Sequence, residues 1–188
     1  MIKLAILVRH GESYSNTLNI VSDDLDKYPL TDKGRIQVNK AAEELRKIRI
    51  DSILSSPIRR ARETAEIISE SLGNGYAIDE RLREIGFGKL NGQPLENVPD
   101  FTYLSPEIEP WERIEKRMLS VIEEYEGNVL LISHAFPIRV LIAHFLSLGE
   151  NESYGIFIKY ATISMINVKN GKVIAIGSPV VTEDMRKV

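Results

Sequence analysis

Several residue types and patterns are absent from this sequence, and each absence excludes a class of protein. The chain has no cysteine, which excludes disulfide bonds, thiol nucleophiles and cysteine-ligated metal sites. No apolar stretch approaches the length of about 20 residues that a membrane-spanning helix needs. The N-terminus enters a strand pattern without a charged leader or a cleavage signal. We therefore expect a cytoplasmic protein with no membrane partner.

The charge balance and the length narrow the class further. The formal net charge is −3, so the chain has no strong global attraction to a phosphate backbone, and we expect no nucleic-acid partner. A small local anion site remains compatible with this charge. The 188 residues suffice for one domain with a sizeable core, and we predict a single domain over residues 1–188.

Two near-continuous apolar runs predict strands that are buried on both faces. They span residues 2–8 and 127–132. Weaker patterns predict short strands over residues 51–56 and 74–78. The tail predicts two or three further strands, with an Asn-Gly hairpin at residues 170–171.

Four segments with helical periodicity alternate with these strands, and they begin near residues 32, 57, 111 and 137. Thr31 is the predicted cap of the first helix, whose expected buried stripe consists of Ile36, Val38, Ala41, Ala42, Leu45 and Ile48. This alternation indicates an α/β domain with a mostly parallel central sheet and an antiparallel edge strand. Residues 11–30 predict a long loop, and the proline-containing stretch at about 91–110 predicts a short cap-like insertion.

Two of the three histidines directly follow the two buried-strand patterns. His10 comes after the first run and His134 after the second. If both strands are central and parallel, the two imidazoles reach the same edge of the sheet, where α/β proteins bind ligands. A single buried histidine is more often a packed core residue, but two at matching strand ends favour a shared site. His144 lies inside an amphipathic helix, and we interpret it as a packed or partly exposed helix residue.

Arginines near these histidines indicate phosphate chemistry. Imidazole can act as a nucleophile that forms a covalent intermediate, and the guanidinium fork matches phosphate oxygens. Arg9 adjoins His10, and Arg59, Arg60 and Arg62 lie at the start of a predicted helix, whose amino end also favours anions. Arginines on helices are usually solvated, so the residues alone leave the contributing member open.

Phosphoryl transfer through histidine also needs an acid for the leaving oxygen. Glu84, in the loop "LREIGFGKLNG", is a candidate, although spacing alone favours an ordinary surface glutamate. Gly86, Gly88 and Gly92 miss the dinucleotide fingerprint by one residue. Three dispersed histidines without ligand spacing make a zinc site a poor interpretation.

Four blocks of sequence together resemble the histidine phosphatase superfamily, which includes the cofactor-dependent phosphoglycerate mutases. "LVRHGES" resembles the R-H-G-[ET] signature, and "SSPIRRARETA" resembles S-P-x-x-R-A-x-x-T-A. "LREIGFGKLNG" resembles L-x-E-x-x-F-G-x-[WL]-x-G, and "LLISHAFPIRVLI" resembles V-x-x-S-H-G-x-x-I-R-x-L. The blocks occur in the family's order and span residues 4–142.

The resemblance implies a fold, a set of roles and no metal or organic cofactor. The implied fold is a three-layer α/β/α sandwich of the phosphoglycerate mutase type. His10 would be the nucleophile that becomes phosphohistidine, and Glu84 would be the proton donor, which reverses its surface interpretation. Arg60 is preferred over Arg59 because the family's arginine directly precedes alanine. The implied phosphate-binding residues are Arg9, His10, Asn16, Arg60, His134 and, through its backbone N–H, Ala135.

The sequence departs from the family pattern at a few positions. Ala135 replaces the glycine that usually follows the second histidine. Leu90 stands where many phosphatases have tryptophan and mutases often have leucine. Asp23 stands where mutases commonly have glycine beside the substrate carboxylate, and a carboxylate there is expected to repel phosphoglycerate. The insertion at residues 93–110 is short and acidic, with no basic pair for a second phosphate.

The resulting expectation is a phosphatase that hydrolyses phosphate monoesters of small phosphorylated metabolites through phosphohistidine at His10. One alternative is a phosphoglycerate mutase with the same residues, and another is a non-catalytic module that binds phosphorylated ligands. Residues 14–28 and 91–110 are expected to select the substrate. A homodimer through a C-terminal edge strand is a further possibility.

Overall fold

A six-stranded sheet is the centre of the computed structural model, which describes all 188 residues. Its strands are β1 (Ile2–Arg9), β2 (Ser52–Ser55), β3 (Ala77–Ile78), β4 (Gly127–Ser133), β5 (Ile163–Asn167) and β6 (Lys172–Ser178). The predicted strands are all present, and the weakest pattern gives only the two residues of β3. The turn between β5 and β6 contains Gly171 with φ of +67°, in the left-handed region that glycine adopts readily.

The strand order is β3-β2-β4-β1-β5-β6. β3, β2, β4 and β1 are mutually parallel, whereas β5 runs antiparallel to both β1 and β6. This confirms the mostly parallel sheet with an antiparallel strand towards one edge. β1 and β4 are central neighbours in register, with Arg9 opposite Ser133, so their carboxyl ends meet.

Six helices flank the sheet, and none combines the length and apolar composition that crossing a membrane requires. They are α1 (Tyr14–Thr17), α2 (Asp32–Leu45), α3 (Arg59–Leu72), α4 (Trp111–Glu124), α5 (Ala135–Phe145) and α6 (Glu183–Arg186). Short 3-10 turns occupy much of the remaining chain between residues 80 and 104 and at residues 152–155.

The two faces of the sheet pack against different helices, which gives the predicted three layers. Leu4, Ile6 and Val8 of β1 belong to one apolar core with residues of α2 and α3. Ala5 and Leu7 belong to a second core with residues of α4 and α5. Successive strand side chains point to opposite faces, so a run without alternation is what a doubly covered strand requires.

The ends of the helices differ slightly from the sequence prediction. Thr31 does cap α2, since its hydroxyl accepts the Gly34 N–H at 3.0 Å. α3 begins two residues after Pro57, and α5 begins at Ala135 rather than Pro137. Proline is tolerated there because the first-turn N–H groups of a helix have no partner in any case.

Two sequence predictions about residues 11–48 are wrong in detail. The apolar pattern places Ile36 on the buried stripe of α2, but it is 58% exposed. It lies two positions from both Gly34 and Val38, which are buried, and two positions on a helix rotate a side chain to the opposite face. The expected loop at 11–30 contains the short helix α1, in which Asn16 Oδ1 accepts the Ser13 N–H at 3.0 Å.

Candidate active site

The carboxyl ends of β1 and β4 place the two histidines side by side. The His10 N–H donates to the Ser133 carbonyl at 3.1 Å, which continues the ladder of the parallel pair by one residue. The ring centroids of His10 and His134 are 5.0 Å apart, and both residues are buried. The prediction that both imidazoles share one edge of the sheet is confirmed.

The hydrogen bonds of His10 determine which nitrogen carries its proton. Nδ1 lies 2.7 Å from the Gly11 carbonyl oxygen, and a carbonyl only accepts, so the proton is on Nδ1. Nε2 therefore keeps its lone pair, and it accepts a hydrogen bond from Arg60 Nε at 3.1 Å. Burial, together with the positive charges of Arg60 and Arg9, lowers the pKa of His10 well below its usual value. The imidazole is thus neutral at neutral pH, with Nε2 as its nucleophilic atom.

The buried Arg60 and the partly buried Arg9 converge on this imidazole from different elements. Arg60, in the first turn of α3, is 3% exposed and donates to the Ser22 carbonyl at 2.8 Å. Arg9, at the end of β1, donates to the Ile158 carbonyl at 2.6 Å and lies over the Tyr160 ring. Arg60 Nη1 and Arg9 Nε are buried without a hydrogen-bond partner. Buried unpaired cationic donors are costly, so their arrangement favours a bound anion.

His134 adds a further donor at the same place. Its Nε2 lies 2.8 Å from the Ser56 hydroxyl, and its Nδ1 is buried with no partner. When the Ser56 hydroxyl donates to Nε2, Nδ1 carries the proton, and Nδ1 lies 3.8 Å from Glu84 Oε2. Burial and the positive charge of Arg60 lower the pKa of His134 well below its usual value, so this ring is a neutral donor as well.

Glu84 reaches the site from the loop that follows a 3-10 turn. Its Oε2 lies 3.8 Å from His134 Nδ1 and 4.0 Å from Arg60 Nη2, while Oε1 accepts the Ile85 N–H at 3.0 Å. Burial raises the pKa of Glu84 above its usual value, although Arg60 partly opposes the shift. A carboxyl group that holds its proton more readily is suited to general acid chemistry.

Two further groups named by the resemblance also line the cavity. Asn16 Oδ1 accepts both the N–H and the hydroxyl of Ser13, which leaves its side-chain NH2 as the donor. Ala135 is the first residue of α5, where a backbone N–H has no partner in the preceding turn. The structure therefore places six of the seven residues of the predicted site in the wall of one cavity and the buried His134 next to His10, while their roles remain predictions.

The other arginines and the third histidine that the sequence analysis considered do not line the cavity. Arg59 pairs with Glu63, and Arg62 pairs with Asp26, in both cases on the surface. His144 pairs with Glu115 at 3.0 Å on the outer face of α5. The choice of Arg60 within the arginine run agrees with this geometry, because only Arg60 of the three lines the cavity.

Gly11 explains why glycine follows the histidine on β1. A Cβ atom at this position would lie 2.6 Å from the Gly34 carbonyl oxygen and 2.7 Å from Val38 Cγ2. The backbone directly after His10 thus packs on α2, which holds the imidazole against a rigid helix.

The loop that carries Glu84 is held by a buried ion pair that sequence reasoning missed. Arg117 of α4 donates to both carboxylate oxygens of Glu109 at 2.9 and 3.1 Å, and also to the carbonyls of Arg81, Arg83 and Glu84. Glu109 in turn accepts the Gly86 N–H at 3.1 Å. Both sides of Glu84 in the chain are thereby fixed to α4.

Above the histidines, the cavity has a volume of about 460 Å³, and 14 of its 26 lining residues are hydrophobic. Its outer wall combines the two segments expected to select the substrate, which are joined by main-chain bonds between Val21 and Gln93 and between Leu95 and Asn19. Asp23 is not part of the wall, and its Oδ2 accepts the Phe87 N–H at 2.9 Å. The charge of Asp23 still acts on Arg60, so the expected repulsion of a substrate carboxylate by Asp23 stays a prediction.

Comparisons with known proteins give the same grouping. The family model described as histidine phosphatase superfamily (branch 1) matches residues 5–176. A protein of Thermoplasma acidophilum named 2,3-bisphosphoglycerate-dependent phosphoglycerate mutase is 39% identical over 194 residues, which cover 98% of this chain and 97% of that protein. A protein of Hydrogenobacter thermophilus with the provisional name phosphoserine phosphatase 2 is 33% identical over 90% of this chain and 92% of its own length.

Solved structures confirm the fold. The structure of Bacillus stearothermophilus YhfR superposes with a TM-score of 0.79 at 24% identity, over 97% of this chain and 98% of that one. A mycobacterial glucosyl-3-phosphoglycerate phosphatase superposes with a TM-score of 0.74 at 25% identity, over 87% and 89% of the two chains. With the matched family model and these whole-length relatives, the chain belongs to the histidine phosphatase superfamily.

Proposed function

We propose that this protein is a phosphatase that hydrolyses phosphate monoesters of small molecules through a phosphohistidine on His10. The observation that carries the proposal is the state of the His10 ring, which is neutral and holds its proton on Nδ1. Arg9 and Arg60, which line the cavity together with His10, each carry a buried donor without a partner, and the unpartnered His134 Nδ1 lies 3.8 Å from Glu84 Oε2. A nucleophile surrounded by donors for phosphoryl oxygens is what phosphoryl transfer needs.

In the first step, Nε2 of His10 attacks phosphorus as the bond to the leaving oxygen breaks on the opposite side. Arg60, which donates to this lone pair in the free protein, turns its N–H groups to the phosphoryl oxygens when the lone pair is used. Arg9, His134 and Asn16 donate to the same oxygens and stabilise the charge of the transition state.

Glu84 is the general acid of the first step and the general base of the second. Its raised pKa favours the protonated form, which donates to the leaving oxygen as the P–O bond breaks. In the second step the Glu84 carboxylate accepts a proton from water while the water oxygen attacks phosphorus. The P–N bond then breaks, phosphate leaves, and the neutral His10 ring and protonated Glu84 are restored.

The size of the cavity supports water as the acceptor. A volume of about 460 Å³ lies within the range of roughly 300–1,000 Å³ of pockets that hold drug-sized ligands. A small monoester leaves room for water beside the phosphohistidine. A mutase, in contrast, must exclude water until a second hydroxyl group accepts the phosphoryl group.

A phosphoglycerate mutase is the second candidate, and two observations favour it. The Thermoplasma acidophilum relative with 39% identity carries that name, and Asp23 does not face the cavity. The same residues would serve in both reactions, so only the acceptor differs. The complete set of donors, nucleophile and acid argues against a non-catalytic binding module.

One assay separates these candidates. The protein is incubated with 3-phosphoglycerate, with and without 2,3-bisphosphoglycerate, and both 2-phosphoglycerate and free phosphate are quantified, with 4-nitrophenyl phosphate in parallel. We expect free phosphate without isomerisation, and we expect no product from His10→Ala. The control His144→Ala should behave as wild type, because His144 lies on the outer surface. Rapid isomerisation with little free phosphate would identify a mutase instead.

A further inference from the structure

Tyr160 lines the cavity beside the nucleophile, and the mechanism above gives it no role. It lies in the connection that leads into β5. Its ring centroid is 6.3 Å from that of His10, at an interplanar angle of 40°. The guanidinium carbon of Arg9 lies over the same ring, 4.0 Å from its centre. The ring is therefore next to the nucleophile and in cation–π contact with the arginine that precedes it in the chain.

The backbone that carries this ring is held in an unusual conformation. Ala161 has a φ of +51°, in the left-handed region that residues with a Cβ atom rarely adopt. Its N–H donates to the carbonyls of Arg9 at 3.0 Å and of His10 at 3.3 Å. Strained backbone persists where the surroundings enforce it, and it clusters at functional sites. Main-chain bonds to the segment of the nucleophile thus fix the residue after Tyr160.

An aromatic ring differs from a carboxylate as the partner of a buried arginine. Arg60 has a carboxylate nearby, since Glu84 Oε2 lies 4.0 Å from its Nη2. Arg9 contacts the Ile158 carbonyl oxygen and the Tyr160 ring instead. A carboxylate accepts hydrogen bonds from a guanidinium and neutralises its charge, whereas the face of a ring attracts the cation without occupying an N–H. The buried Nε of Arg9, which has no partner, thereby stays available to a phosphoryl oxygen.

We propose that Tyr160 is a positioning residue for phosphoryl binding, which acts by holding the Arg9 guanidinium against its ring. The Ile158 carbonyl fixes one nitrogen of the guanidinium, and the ring limits the movement of the rest. A donor that is already in place loses less conformational freedom when the anion binds. The inference rests on the role of Arg9 in the proposed function, and it concerns a residue outside all four sequence blocks.

Equilibrium binding of tungstate tests the inference without requiring turnover, because this tetrahedral dianion resembles phosphate. Isothermal titration calorimetry on the full chain gives the Kd for the wild type and for two variants. Tyr160→Leu removes the ring, and we expect its Kd to be roughly fivefold higher or more, the effect of losing a cation–π contact with a partly desolvated cation. Tyr160→Phe keeps the ring, and its Kd should stay within about twofold of the wild-type value.

A double-mutant cycle with Arg9 separates positioning from a general structural role. If Tyr160 acts through Arg9, Tyr160→Leu should change the Kd by less than about twofold in a protein that already carries Arg9→Gln. A ring that only supports the fold would weaken binding by a similar factor in both backgrounds. Where Arg9→Gln leaves too little binding to titrate, Arg9→Lys replaces it, since lysine keeps the charge without the planar group. Tyr76→Leu changes an exposed tyrosine outside the cavity, and this control should bind tungstate as the wild type does.

Each outcome decides the inference. It is overturned if tungstate does not bind the wild type, if Tyr160→Leu binds as well as the wild type, if Tyr160→Phe loses as much as Tyr160→Leu, or if the loss is undiminished in the Arg9 background. Tyr160→Met takes the place of Tyr160→Leu if the latter does not fold. A loss that depends on the ring and on Arg9 supports the inference. The same result in a protein that hydrolyses no monoester would refute the proposed phosphatase and leave the positioning role in place.

Discussion

The protonation state of the His10 ring is set by its burial and by the groups in contact with it. The Gly11 carbonyl places the proton on Nδ1, and burial, together with the charges of Arg60 and Arg9, lowers the pKa of His10 and so keeps a second proton away from Nε2. The same arginines carry buried donor atoms without a protein partner, which an incoming anion can satisfy. In the proposed reaction, this arrangement provides an unprotonated Nε2 for attack and donors for the phosphoryl oxygens.

Glu84→Gln tests the acid at the residue scale. Glutamine cannot release a proton to the leaving oxygen, so esters with poor leaving groups should lose about 10²–10³-fold in kcat for phosphorylation of the enzyme. Aryl esters with good leaving groups need no proton in that step and should lose far less. Single-turnover kinetics across a series of leaving groups measures the difference.

A uniform loss across that series would contradict the assignment of Glu84 as the acid. Glu80→Gln, on the surface at the start of the preceding 3-10 turn, is the matched control and should leave all rates near those of wild type.

The elements hold these atoms in place through close backbone contacts. Two residues after the end of β1, Gly11 lies against Gly34 and Val38 of α2. A Cβ at Gly34 would in turn lie 2.0 Å from the Glu12 carbonyl oxygen. The two glycines together allow the chain after the nucleophile to cross α2 at backbone distance.

Gly11→Ala should destabilise the protein by roughly 1–3 kcal/mol, because the added methyl group meets a helix backbone that cannot yield cheaply. Urea unfolding measures the change in the free energy of unfolding. Gly75→Ala is the control, since a Cβ atom at Gly75 would have no other atom within 4 Å, and its effect should be within about 1 kcal/mol. Equal effects of the two substitutions would show that the contact with α2 does not constrain this backbone.

The ion pair between Arg117 of α4 and Glu109, which holds the Glu84 loop, predicts that the stability of the protein depends on pH. Burial acts to raise the pKa of Glu109, but the hydrogen bonds and charge of Arg117 outweigh it, so the pKa lies below its usual value. A depressed pKa in the folded state gives stability that is present above the unfolded pKa of about 4.3 and is lost as the pH falls through the folded pKa.

The free energy of unfolding should therefore fall less steeply below pH 4 in Glu109→Gln than in the wild type. Urea titrations at pH 7, 4 and 3 measure this slope. Glu112→Gln removes an exposed carboxylate from the same helix and should retain the wild-type slope. If all three proteins have the same slope, Glu109 does not contribute to acid sensitivity.

Across the whole molecule, the sequence predicted the order of strands and helices, but it did not predict which residues form the cavity wall. Apolar runs without alternation identified β1 and β4, because strands covered on both faces need apolar residues on both. Their parallel pairing then brought His10 and His134 together. Ile36 was wrongly placed on the buried face of α2, because a window of apolar residues does not reveal which of them define that face.

Long-range contacts explain most of what sequence reasoning missed at the site. Arg139 belongs to the sequence block "SHAFPIR". The sequence does not show that its guanidinium packs on the Phe136 ring, or that Glu150 is bound by Thr102 instead of by Arg139. Tyr160 reaches Arg9 from the segment before β5, and no local pattern marks it. The predicted homodimer would use β6, which forms one edge of the sheet, and sedimentation velocity would test it.

Chemical trapping of the phosphorylated enzyme tests the central claim most directly. The protein is mixed with ³²P-labelled 4-nitrophenyl phosphate, denatured in alkali during turnover, digested and analysed by mass spectrometry. We predict an acid-labile, alkali-stable label on Nε2 of His10 and no label in His10→Ala. An unlabelled wild-type enzyme that still releases phosphate, or a label on another residue, would contradict the account.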